Sequence, residues 1–135
     1  VQLRKLAAFV SERSAMARLY DDAFAELAGF RLPPRRSDWT HSYQSYVIVL
    51  EKDAPIEPDA FMGRLAERGI STRVGTYAVH RQPYFSGGSD ALLPHSSLAA
   101  DRSVAIPLFN GLAPNDQKRV IDTIREVWEE SGATR

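Results

Sequence analysis

Tyr46-Val47-Ile48-Val49-Leu50 is an unbroken apolar run inside YQSYVIVLE, residues 43–51. β-Branched and aromatic side chains suit the pleated surface of a strand better than a helix. Tyr43–Glu51 is therefore predicted to be a strand. Because the run is apolar on both of its faces, that strand must be covered from both sides. A single amphipathic sheet with one wet face does not meet this demand, so other elements must pack over it.

Helical patterns supply the cover. Leu3, Leu6, Ala7, Val10, Ala17, Tyr20, Phe24 and Leu27 recur at spacings of three, four and seven, which predicts a first helix running to about Ala28 and stopping at Gly29. Pro33 and Pro34 bar its continuation. At ~1.5 Å per residue it reaches about 40 Å, more than a small core needs. No Ser, Thr, Asp or Asn cap precedes it, so the helix reads either as part of something longer or as the start of a processed or trimmed but intact protein. Pro58, Asp59, Phe61, Met62, Leu65 and Ala66 mark a second helix that ends at Gly69. Ile70–Val74 reads as a short strand, and Pro94–Asp101 as one or two helical turns. Ser103–Leu108 reads as a third strand. A last helix begins near Pro114 and Asp116, carries Val120, Ile121, Ile124, Val127 and Trp128 on one stripe, and ends at Gly132. The order α, β, α, β, loop, short α, β, α predicts an α+β two-layer sandwich. Its small antiparallel-type sheet has three or more strands covered by helices.

Between Val74 and Pro94 about twenty residues fit neither period. They include Thr76, Tyr77, His80, Arg81, Tyr84 and Phe85. So long a connection in a compact domain is either functional or disordered, and disordered segments are poor in aromatics. The stretch is expected to be an ordered loop presenting donors and aromatic faces. Ser86–Ser89, SGGS, is its expected hinge or mobile tip.

Composition limits what the chain does. At 135 residues with 44% apolar content it is one domain with a real core. Seventeen basic and seventeen acidic residues cancel, which argues against a nucleic-acid binder relying on a basic field. Neutrality also leaves association unopposed, favouring a homodimer or larger assembly. Without cysteine there is no disulfide, thiolate metal site or Cys nucleophile; this fits a cytoplasmic protein without requiring one. There is no eighteen-residue apolar run for a membrane span and no continuous apolar signal-peptide core.

Candidate chemistry is sparse. His41, His80 and His95 lie on separate segments without metal-site spacing, so no metal is expected. Neither a Gly-rich phosphate loop nor a GxSxG elbow occurs. Lys5, Lys52 and Lys118 sit in charged contexts, whereas a Schiff-base lysine needs a desolvated pocket. Arg35-Arg36 reads as a solvated turn, although its forked donors also suit phosphate oxygens. Trp39-Thr40-His41-Ser42-Tyr43 is a second patch, with Trp39 read as a lid over the core. Arg73, at a strand end beside Thr76, Tyr77 and His80, is placed where a ligand contact is as natural as a structural one. By itself the chain shows no nucleophile and no catalytic residue.

These residues resemble a known family. His41-Ser-Tyr43-Gln44-Ser-Tyr46-Val47, the run Gly69-Ile70-Ser-Thr72-Arg73-Val-Gly75-Thr76-Tyr77-Ala78-Val79-His80, and Ile106-Pro107-Leu108-Phe109 are similar to the C-terminal domain of the DegT/DnrJ/EryC1/StrS aminotransferases. The first helix and the closing DQKRVIDTIREVW helix fit as well. The most specific element is GI-x-TR-x-GT-x-A-x-H.

The resemblance implies that residues 1–135 are the small C-terminal domain of a pyridoxal-phosphate-dependent, fold type I sugar aminotransferase. The large cofactor domain, with its aldimine lysine, would then lie outside this chain, and the chain alone would be inactive. The intact enzyme would move an amino group from glutamate or glutamine to a nucleotide-linked keto-sugar. Arg73, Thr76, Tyr77 and His80 would form a substrate-facing rim. The alternatives are a free-standing α+β interaction module using the same loop, or a non-catalytic regulatory relative.

Overall fold

The structure, a computed structural model, describes residues 2–85 and 89–133. Most of the SGGS segment expected to be a hinge lies outside the described residues. Eight elements order as α1 (Leu6–Phe24), β1 (Phe30–Arg31), β2 (Tyr46–Leu50), α2 (Pro58–Glu67), β3 (Arg73–Val74), α3 (Pro94–Arg102), β4 (Ser103–Ile106) and α4 (Pro114–Ala133). A 3-10 turn at Gln2–Lys5 leads into α1, and two more, Val79–Arg81 and Pro83–Phe85, lie between β3 and α3. The architecture is the expected α+β one, with a four-stranded antiparallel sheet in the order β1-β2-β4-β3.

The β2 strand is central. It pairs with β4 through Tyr46↔Ile106 and Ile48↔Val104, and with β1 through Phe30↔Leu50. Tyr46, Ile48 and Leu50 are fully buried in the core beneath the helices, with Phe61, Leu65, Ile124 and Val127. Burying each such side chain contributes about 1.5–3 kcal/mol. On the opposite face Val47 and Val49 are only half-buried. Full cover on both sides, expected from the apolar run, is thus met on one face and half-met on the other. Alternation of a period-two strand gives β2 a deep face and a shallow one.

Aromatic rings knit the helices to the strand. The Phe30 ring meets Trp128 edge-on at 4.7 Å and Phe61 at 6.1 Å, while Tyr20 stacks on Phe24 at 5.8 Å. The buried Tyr20 hydroxyl donates to the Pro107 carbonyl at 2.6 Å, and burial drives its pKa upward. Gln117, buried on α4, donates to the Met16 carbonyl of α1 at 2.8 Å, so the two long helices share a polar tie as well as a core.

Several boundaries differ from the sequence reading. The first helix ends at Phe24 rather than Ala28. Leu27 N–H turns back to the Phe24 carbonyl and Phe30 N–H to that of Leu27, both at 3.1 Å. This delivers Phe30 to the core as β1, a strand the sequence reading lacked. Gly29 makes the turn at φ 79°, and a Cβ there would stand 2.8 Å from Ala54 Cα. The β2 strand starts at Tyr46, not Tyr43, because Tyr43 has φ 46°, outside the strand region. The β3 strand holds two residues instead of five, since α2 closes with Gly69 N–H on Ala66 O and Ile70 N–H on Leu65 O. That closure is the Schellman arrangement, and it takes Ile70 out of the sheet. The last two strand residues expected at β4, Pro107 and Leu108, lie beyond it, and α4 runs through Gly132 to Ala133. Among the described residues no helix is long and apolar enough to cross a membrane.

Candidate functional site

The candidate rim begins where β3 leaves the sheet. Gly75 N–H donates to the Ser103 carbonyl at 2.9 Å, one step beyond the β3–β4 ladder. A Cβ at Gly75 would lie 2.5 Å from both Ser103 Oγ and Val47 Cγ1. Only glycine lets the backbone come so close. Thr76 and Tyr77 follow at once and are exposed, Tyr77 at 72%.

The chain then turns inward. Ala78 is buried, and the 3-10 turn Val79–Arg81 carries His80 into the interior. His80 Nε2 lies 2.8 Å from Asp90 Oδ1 and 3.2 Å from Ser97 Oγ on α3. The Asp90 carboxyl is held well below the usual carboxylate range, first by Arg81, then by His80 and Ser97. It is therefore ionised and can only accept, so Nε2 carries its hydrogen. That nitrogen is committed, and the arrangement orients the ring rather than freeing Nε2 for proton transfer.

Arg81 extends the same fastening. Its Nε and Nη2 donate to Asp90 at 2.9 and 2.7 Å, and its Nη2 and Nη1 to Asp101 at the end of α3. These contacts draw the Arg81 pKa upward, Asp101 and Asp90 being the first causes. The loop expected to be ordered is thus tied to α3 through Ser97 and Asp101.

Thr76, Tyr77 and His80 line one cavity of about 550 Å³ together with Phe85 and with His95 and Ser96 of α3. Arg73 does not share it. Its guanidinium Nη2 donates to Ser45 Oγ at 3.0 Å, and it lines a second cavity of about 250 Å³ with Gln44, Ser45 and Thr72. The four residues expected together therefore divide three and one. Polar groups on an apolar wall suit a ring-bearing ligand in the larger cavity. An exposed guanidinium with one hydroxyl partner suits an anionic group in the smaller.

Asp90, Ser97 and Asp101 were not among the candidate site residues of the sequence reading. Nine to twenty residues separate them from their partners His80 and Arg81, and no helical or strand period links them. Among the described residues no group of three or more His, Asp or Glu side chains comes together as a metal-binding set.

Comparison with known proteins gives this geometry its context. Residues 1–125 match the DegT/DnrJ/EryC1/StrS aminotransferase family. The aminotransferase TlmJ from Streptoalloteichus hindustanus is 31% identical, with a TM-score of 0.84 over 96% of this chain and 34% of its own. DesV from S. venezuelae, solved in complex with a ketimine intermediate, is 28% identical, with a TM-score of 0.84 over 94% of this chain and 34% of its own. The sugar aminotransferase CalS13 from Micromonospora echinospora is 26% identical, with a TM-score of 0.79 over 93% and 32%. The chain spans about one third of the length of these solved structures.

Proposed function

The chain belongs to the DegT/DnrJ/EryC1/StrS aminotransferase family, and we propose that it is the C-terminal small domain of a pyridoxal-phosphate-dependent sugar aminotransferase. The whole enzyme would transfer an amino group from glutamate or glutamine to a nucleotide-linked keto-sugar. What carries this reading is that the stretch bearing the family resemblance, Gly69–His80, also builds the walls of the two rim cavities.

The residues present do not fit the cofactor itself. Lys5, Lys52 and Lys118 are all exposed, and Lys118 Nζ pairs with Asp122 one turn on. Neither rim cavity has a lysine in its wall. A lysine that forms a Schiff base needs desolvation to lose its proton near neutral pH. On this reading the aldimine lysine and the chemistry it serves would belong to a large domain outside these residues.

The work left to this chain is binding and enclosure. Tyr77 offers an aromatic face to a sugar or base, and Thr76 a hydroxyl beside it. Arg73 holds a phosphate or another anionic group, while the His80–Asp90–Arg81 fastening keeps the loop in place over the cavity. Excluding water and orienting a substrate in this way contribute to rate without a reacting group.

The test joins this chain to its upstream coding sequence and follows both half-reactions. Amino transfer from glutamate or glutamine to a nucleotide-linked keto-sugar, weakened by Arg73→Ala and Tyr77→Ala in the second half-reaction only, supports the reading. An upstream sequence without a lysine-bearing cofactor domain, or a protein that binds a ligand but never transfers an amino group, would favour the interaction module.

A further inference from the structure

Two stretches that the rim leaves unused, Arg35-Arg36 and Trp39–Tyr43, come together against α1. With Ser14 and Arg18 of that helix they enclose a cavity of about 170 Å³. It shares no lining residue with either rim cavity.

Its wall is rich in donors. Arg18, Arg35 and Arg36 supply three guanidinium groups, Ser14 and Thr40 two hydroxyls, and no carboxylate lines it. Asp21 holds Arg35 through Nε, and Asp38 holds Arg36 at 2.9 and 2.8 Å, both from outside the lining. Arg18 is exposed and makes no hydrogen bond or ion pair with any described residue. Of the three, only Arg18 has no carboxylate partner among the described residues. The Arg35 guanidinium carbon lies 5.7 Å from the centre of the buried Tyr43 ring, a stacking contact that restrains the side chain.

Size and shape select among anions. A planar carboxylate is met by one guanidinium fork, whereas a tetrahedral phosphate turns oxygens toward several. At ~30 Å³ per water, the cavity of about 170 Å³ has room for about six waters, enough to seat a phosphate group. Whatever the phosphate is attached to must lie at the mouth, where Trp39 is 51% exposed.

We propose that this cavity binds a phosphate group through Arg18, Arg35 and Arg36, with the Trp39 indole as the face for a ring attached to it. The chain labelled with nitrogen-15 is titrated at low salt with inorganic phosphate and with phenyl phosphate. Affinity is measured by calorimetry, and the site is read from the Trp39 indole N–H resonance, assigned by its loss in Trp39→Phe. Both ligands should saturate and shift that resonance. Arg18→Ala, at an exposed side chain without partners, should weaken both about fivefold to tenfold at unchanged melting temperature, whereas Arg73→Ala should change neither. Phenyl phosphate binding more tightly than phosphate, with the difference lost in Trp39→Ala, identifies a ring-bearing ester as the natural source; equal binding identifies free phosphate. The proposal is overturned by the absence of saturable binding, by affinity unchanged in Arg18→Ala, or by acetate binding as tightly as phosphate.

Discussion

His80 and Asp90 meet at 2.8 Å, Nε2 to Oδ1, ten positions apart in the chain and just ahead of α3. Arg81 doubles the closure through both of its carboxylate partners.

This closure is sensitive to acid. The Asp90 carboxyl is depressed below its ordinary value of 3.8, chiefly by Arg81, and Asp101 is lowered by the same guanidinium. A depressed carboxyl contributes stability that is fully present above its unfolded pKa and lost as pH falls through the folded one. The melting temperature should hold down to about pH 5 and fall below about pH 4. In Asp90→Asn, part of that fall should already be missing, because the variant starts lower at neutral pH. Superimposable melting profiles for the two proteins across this range would refute the assignment.

The rim should separate into structural and ligand-facing members. His80→Ala removes a buried, hydrogen-bonded ring and should cost about 1–3 kcal/mol in urea unfolding. Tyr77→Ala, at a side chain 72% exposed, should stay within about 0.5 kcal/mol. Arg73→Ala should leave the melt unchanged, yet weaken binding of the proposed nucleotide-linked substrate by the intact enzyme about tenfold or more. Equal stability loss in all three variants would make the whole cluster structural.

Ser103 and Gly75 give opposite signs. Ser103 Oγ is buried with no hydrogen-bond partner among the described residues, so Ser103→Ala should be stabilising by about 1 kcal/mol. Gly75→Ala should cost about 1–3 kcal/mol through overpacking. Adding Ser103→Ala should not rescue it, since Val47 Cγ1 at 2.5 Å and Ser103 Cβ at 2.7 Å remain in the way. Full rescue in the double variant, measured by chemical denaturation, would show that the hydroxyl alone sets the limit.

Gly29→Ala should be costly for two reasons, a left-handed backbone worth about 1–2 kcal/mol and contact with the Ala54 backbone at 2.8 Å. Thermal unfolding of Gly29→Ala beside Gly63→Ala, where nothing lies within 4 Å, checks it. The same melting temperature for both would contradict the tight turn.

Much of the fold was legible because its signals are local. The β2 run, Pro58 at the start of α2 and the α4 stripe each carry their own period or cap. β1 was not legible, since two residues hold no period. Leu27 continued the apolar spacing of α1 although the chain had already turned. In the candidate site, the dense polar and aromatic loop was visible as such. The burial of His80 was not, because it depends on Asp90 and Ser97, which only tertiary folding brings near. Likewise Arg18 gives no sign in sequence that it faces Arg35 and Arg36 across a cavity.

The joint at Gly75 separates aim from content. The Ser103 and Val47 side chains stand where a Cβ of residue 75 would be, and the Gly75 N–H bonds the Ser103 carbonyl, so the direction in which the strand releases the chain is set without any side chain at residue 75. Thr76 and Tyr77 stand beyond that joint, exposed to solvent. A lineage can therefore exchange what is displayed there, one side chain at a time, while the bracket that displays it stays where it is. New selectivity at this rim costs the scaffold almost nothing, whereas a single methyl group at residue 75 would move everything the bracket carries.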